Sequence, residues 1–198
     1  MRQKSFSNLK RRKNFKLVRK NFLIVCEGEK TEPNYFSGFR VLKKVFDVIG
    51  FGANTESLVK KAIELRDNER ISYDEVWCVF DRDSFPVHNF NNALLLARNN
   101  NIHVAYSNEA FEIWYLLHFY FHDAATSRKQ YKKMLTDRLG FPYKKNDSNM
   151  YDHLLHLQDT AINNAINLLN SYAIHNPSND NPSTNVHLLV QKLNENSV

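Results

Sequence analysis

The stretch Asn21 to Glu32, NFLIVCEGEKTE, restricts the possible folds more than any other part of the chain. Apolar and β-branched residues, Phe22-Leu23-Ile24-Val25-Cys26, run without interruption and end abruptly at Glu27-Gly28. A run with no polar alternation suits a strand buried on both faces, as in a parallel sheet covered by helices. Such sheets place their ligands outside the carboxyl ends of the strands. Glu27 is the residue delivered to that edge. The design recurs at Glu75-Val76-Trp77-Cys78-Val79-Phe80, which leads into Asp81-Arg82-Asp83. Two strands tipped with carboxylates predict a shared cation site.

The intervening segments supply the helices such a sheet needs. Thr31 is placed to cap a helix with Pro33 in its first turn. Tyr35, Phe36, Phe39, Leu42 and Phe46 keep helical spacing, and a short strand is expected near 47–51. A helix over about 56–69, the strand Val76 to Phe80, a helix over about 91–99 and a strand at Ile102 to Ala105 complete a β-α alternation. That order predicts a mostly parallel four-stranded α/β sheet flanked by helices, with right-handed crossovers. An apolar helix follows, from about Ala110 to Phe121, with Glu112 as its conspicuous acid. Beyond Asp123 the pattern becomes helical: a basic helix from Ser127 to Leu139, a longer one from Met150 to Ala173, a polar loop through NPSNDNPS, and a last helix from about Thr184 to Asn194.

A chain of 198 residues is long enough for one real core. It divides into a basic arm, 1–20, an α/β core, 21–122, and a helical C-terminal region, 123–198, belonging to the same compact unit. The net charge of +6 is concentrated in the arm, which holds nine of the 27 Lys and Arg and no acid. Lys10, Arg11, Arg12, Lys13, Arg19 and Lys20 are the arm cations expected to meet nucleic-acid phosphates. No window approaches the roughly 20 apolar residues of a membrane span, and no secretory signal is evident, so a cytoplasmic protein is expected. Cys26 and Cys78 lie inside predicted strands and read as reduced core thiols.

Asp81 and Asp83 are two apart at a strand end, so both side chains can point the same way about 6.6 Å apart along the chain. With Glu27 they bring three carboxylates to one edge, where like charges either raise a pKa or bind a cation. Oxygen ligands without Cys or His favour Mg²⁺ or Mn²⁺ over Zn²⁺. Lys30 is a candidate for neutralising charge on a phosphate. Glu32 reads as an acid favouring the helix N-terminus. Glu112 is either an acid needing a structural partner or a second-metal or orienting residue. His118 and His122 read as core or helix-face histidines, and Arg128, Lys129, Lys132 and Lys133 as a solvated face with some chance of touching a nucleic-acid backbone. The chain has no GxxxxGK[ST] and no GxGxxG.

EGEKTEPNYF, VFDRDSF and SNEAFEIWYLLHF, in this order and spacing, resemble the RloB/AbiLii-like proteins, whose core is a TOPRIM domain. The resemblance covers roughly 22–119 and, more weakly, the tail through PSTNVHLLVQKL. It implies a TOPRIM-like fold in which Glu27, Asp81 and Asp83 hold Mg²⁺ for phosphodiester chemistry; Lys30 and Glu112 are the further catalytic candidates from the residues themselves. It further implies nuclease activity in bacterial phage defence and a separate ATPase partner, and leaves homo-oligomerisation open. Glu109 stands where the family pattern has a proline. Two other readings are compatible with the residues. VWCVFDRDS fits the signature of haloacid-dehalogenase-type phosphatases, with Asp81 as nucleophile, although that motif normally lies on the first strand. A non-catalytic nucleic-acid-binding adaptor is the other.

Overall fold

The computed structural model describes residues 20–41, 46–50, 54–68, 72–82 and 86–197. Its centre is β1 (Phe22–Cys26), buried along its whole length. β1 pairs in parallel with β2 (Phe46–Gly50) on one side and with β3 (Glu75–Asp81) on the other. β3 pairs in parallel with β4 (His103–Asn108), and β4 pairs antiparallel with the two-residue β5 (Ser183–Thr184). The strand order is β2-β1-β3-β4-β5.

Among the described residues the sheet therefore has five strands rather than the four expected. The extra strand lies at the end of the segment read as a polar loop. Two residues are too few to show a period-2 pattern, and tertiary bonds hold them in place. Thr184 Oγ1 donates to the Tyr106 carbonyl at 2.9 Å, and the Ser107 and Thr184 hydroxyls lie 3.1 Å apart.

Side chains alternate across the sheet and build two cores. Phe22, Ile24 and Cys26 of β1 and Trp77 and Val79 of β3 enter one core. Most of its other residues come from α1 (Thr31–Ser37), α4 (Glu112–Leu117), α5 (Arg128–Leu139), α6 (Met150–Leu154), α7 (Gln158–Asn170) and α8 (Val186–Asn196). Leu23, Val25, Val76, Cys78 and Phe80 enter the second core, covered by α2 (Thr55–Asn68) and α3 (Val87–Asn99). The uninterrupted apolar runs are thus explained: both faces are covered. By the same alternation Asp81 falls on the face of α1, α4 and α5. Tyr35 is central to that packing, its ring meeting Phe36, Phe39, Phe111, Trp114, Tyr115 and Tyr151.

Several element ends differ from expectation. α4 spans only Glu112–Leu117, because the apolar run continues into buried turns on either side; the peptide between Asn108 and Glu109 is cis. The expected helix from 150 to 173 is divided by a 3₁₀ turn at Leu155–Leu157. Thr31 does not cap α1; its hydroxyl donates to the Lys145 carbonyl at 3.1 Å. α5 has a reciprocal cap between Ser127 and Gln130 and ends at Gly140, whose φ of 76° suits glycine. Both cysteines are buried free thiols, and burial pushes the Cys78 thiol up to about 12. Among the described residues no helix is long and apolar enough to cross a membrane.

Candidate active site

The chain runs from β1 outward to β2 and then returns to β3 on the other side of β1. That reversal lies at the carboxyl ends of β1 and β3, the place where open α/β sheets form their ligand-binding crevice. Glu27 and Asp81 flank it. The Glu27 N–H donates to the Val79 carbonyl at 2.8 Å, extending the β1–β3 ladder by one residue. Glu27 Oε2 accepts the Asp81 N–H at 3.1 Å, so this carboxylate is folded over the end of β3.

Asp81 is largely buried. Arg128 Nη2 lies 3.3 Å from its Oδ2, while its Oδ1 is buried and has no hydrogen-bond partner among the described residues. Burial pushes the Asp81 carboxyl well above the usual range; the charges of Glu32, Glu112 and Glu27 add to this, and Arg128 opposes it. Glu32, on the first turn of α1, is itself buried, and burial raises its carboxyl, with Glu112 adding and Lys145 and Arg128 opposing. Glu112, also buried, accepts the Tyr143 hydroxyl at 3.2 Å and lies 3.3 Å from Lys145 Nζ. Four carboxylates from β1, α1, β3 and α4 thus share one field, with two cations at its edge.

Two glycines make room for this arrangement. A Cβ at Gly28 would overlap Glu32 Oε2 and lie 2.9 Å from its Cδ, so Glu32 sits against bare backbone. At Gly50, the end of β2, a Cβ would lie 2.6 Å from Glu29 Cα and 2.9 Å from the Gly28 carbonyl oxygen, which lets β2 approach the turn after Glu27. The far wall is anchored as well. The Arg82 N–H donates to the Ser107 carbonyl at 2.7 Å, and Arg82 Nε donates to the Ser178 carbonyl at 3.0 Å.

The sequence model of the family described as RloB-like protein matches residues 22–193. The chain belongs to the RloB-like family. The matched span runs from β1 into α8, so in this RloB-like chain it includes Glu27, Glu32, Asp81, Glu112, Arg128 and Lys145. Searches of curated proteins and of solved structures give no match.

Glu27 and Asp81 lie at the same edge of this RloB-like fold, and Glu112 reaches it from α4. Lys30 is exposed in the turn between β1 and α1. Asp83 lies outside the described residues, as do Lys10, Arg11, Arg12, Lys13 and Arg19. Lys20 is described, and it pairs with Glu75 at the start of β3. Six residue steps separate Glu75 from Asp81, about 20 Å of strand, so Lys20 stands at the opposite edge from the carboxylates.

Among the described residues no three His, Cys, Asp or Glu side chains are arranged as a ready metal-ligand group. The donors present nevertheless suit a hard cation: they are carboxylates, and Asp81 Oδ1 is a buried acceptor with nothing donating to it.

Three participants escaped the sequence reading. Glu32 stands in the first turn of α1, as read, but is also buried in the acid cluster. Arg128 reaches Asp81 from the basic helix while staying partly exposed, whereas Lys129, Lys132 and Lys133 are exposed. The Tyr143–Lys145 loop closes on Glu112. A signal existed for Arg128: it lies three residues before Tyr131 and seven before Leu135, the two buried residues of α5, and so on the same face.

Proposed function

We propose that this RloB-like protein is a metal-dependent nuclease that hydrolyses phosphodiester bonds of nucleic acid. The observation that carries the reading is the pairing of Glu27 with the end of β3 beside the orphaned Asp81 Oδ1, at the crevice between β1 and β3. Glu27 and Asp81, joined by Asp83 from the following residues, would hold Mg²⁺ or Mn²⁺. Such an ion polarises a phosphoryl oxygen and lowers the pKa of a bound water.

The chain's own residues do the rest. Glu27 fixes the end of β3 through its bond to the Asp81 N–H. The low exposure around Asp81 limits water and strengthens each charge interaction. Lys30, exposed in the turn between β1 and α1, would meet an incoming phosphate. The basic arm supplies non-specific attraction to the nucleic-acid backbone. The resemblance adds a setting, phage defence alongside a separate ATPase, which accords with the lack of a P-loop in the sequence.

The phosphatase reading gains nothing from the geometry. It makes Asp81 the nucleophile and gives no task to Glu27, whose side chain bonds the Asp81 amide. The direct test incubates the purified full chain with total RNA, plasmid DNA or a generic phosphatase substrate, in Mg²⁺, Mn²⁺ or EDTA. Cleavage of RNA or DNA that EDTA stops is the expected result. Phosphatase turnover without nucleic-acid cleavage would overturn it.

A further inference from the structure

The C-terminal region contributes two cations to the mouth of the acid cluster. Arg128, at the start of α5, reaches Asp81 Oδ2, and Lys145, in the loop that follows α5, reaches Glu112 Oε1. Each pair joins an accessible cation to a buried acid: the side chains are 40% and 60% exposed for the cations, against 13% and 3% for the acids. Both separations are 3.3 Å, longer than the roughly 2.7–2.9 Å of a strong charge-assisted hydrogen bond. The Arg128–Asp81 contact is therefore a long one, and among the described residues Oδ1 has no donor. These are ion pairs suited to exchange.

We propose that Arg128 and Lys145 are the phosphate-gripping residues of this site, held by Asp81 and Glu112 until a divalent cation assumes the task of neutralising the acids. They then turn to a phosphodiester group arriving from the solvent side. Arg128 offers a planar fork that matches two phosphate oxygens, and Lys145 offers a mobile point charge. Both come from the helical region after residue 123, so the crevice between β1 and β3 is completed by that region. The inference rests on the nuclease reading and adds to it the residues that bind substrate.

The test follows two equilibria in the full-length protein, neither of them catalysis. One is Mn²⁺ binding by calorimetry. The other is anisotropy of fluorescein-labelled twelve-nucleotide RNA and DNA in Mn²⁺, with oligonucleotide length checked after each titration. Arg128→Gln and Lys145→Gln should each weaken oligonucleotide binding about tenfold and lower the log–log salt slope by about one. Each should also tighten Mn²⁺ binding, by roughly threefold, because a positive charge beside the ligands has gone. Lys129→Gln, on the exposed face of the same helix, should change both by far less. Arg128→Lys should keep the salt slope and lose part of the affinity, and it replaces Arg128→Gln should that variant fold poorly. Weakening of both Mn²⁺ and oligonucleotide binding would mean a structural role and would overturn the inference. Unchanged oligonucleotide affinity and slope would overturn it while leaving EDTA-sensitive cleavage by the wild-type protein intact. A wild-type protein that binds neither probe would overturn the nuclease reading as well.

Discussion

Gly28 and Glu32 are a coupled pair, since the carboxylate occupies the space a Cβ would need. Gly28→Ala must push the Glu32 carboxylate out of the cluster while leaving β1 and its ladder alone. Cleavage should fall by an order of magnitude or more, whereas unfolding free energy should change by less than about 1 kcal/mol, because the displaced group is a crowded acid rather than core packing. Parallel activity and urea-denaturation measurements check this, and full activity in a folded Gly28→Ala protein would contradict it. Glu27 and Asp81 were legible in the sequence because strand ends are: an apolar run stops, and the next residue stands at the edge. Glu32 was not, because its burial depends on a missing Cβ four residues earlier and on α4 packing alongside. Its position relative to Tyr35 and Phe36, three and four residues on and both buried, was the available hint.

At the scale of elements, alternating strands and helices were readable wherever burial had a period. β1 and β3 were found because both faces are covered, and α2 and α3 because one face is. What failed was every boundary set by tertiary contacts. α4 is short although its sequence is apolar well beyond both ends, since hydrophobicity records burial and not helix. α6 and α7 are divided at Leu155–Leu157 with no glycine or proline to mark the break. β5 exists because β4 offers it an edge. The loop before β5 is tied down by its own network: the Tyr106 hydroxyl and His175 Nε2 lie 2.6 Å apart, and His175 Nδ1 is 2.6 Å from Asp180 Oδ2. With the Arg82–Ser178 bond, this fixes the far wall of the crevice. Gly50 does the corresponding work on the near side, where β2 meets the backbone of the Glu27–Glu29 turn.

The whole molecule is a sheet between two cores, and the larger core makes stability depend on pH. His118 is fully buried on that side; its Nδ1–H donates to the Trp114 carbonyl at 2.9 Å, and Nε2 has no partner among the described residues. Burial lowers its pKa from 6.5 to about 4. The unfolded chain therefore binds this proton more readily, so the stability contribution is fully present above pH 6.5 and is lost as pH falls toward 4. The loss attributable to His118 is on the order of 3 kcal/mol. Glu32 and Asp81, raised by burial, act in the opposite sense, so the clean measurement is a comparison. Urea titrations at pH 7.5 and 4 should show a smaller acid-induced loss in His118→Asn, which keeps the donor to Trp114, than in the wild-type protein. Equal losses would contradict the assignment. The central claim is that strands β1 and β3 carry one catalytic site between them, and its most direct measurement is EDTA-sensitive nucleic-acid cleavage by Glu27→Ala, Asp81→Ala and the double variant, each verified as folded. The account predicts that each single change costs roughly a hundredfold or more, and that the double variant is little worse than either, because ligands of one site do not act independently. A folded Glu27→Ala protein with near-normal cleavage, beside an inactive Asp81→Ala protein, would contradict it.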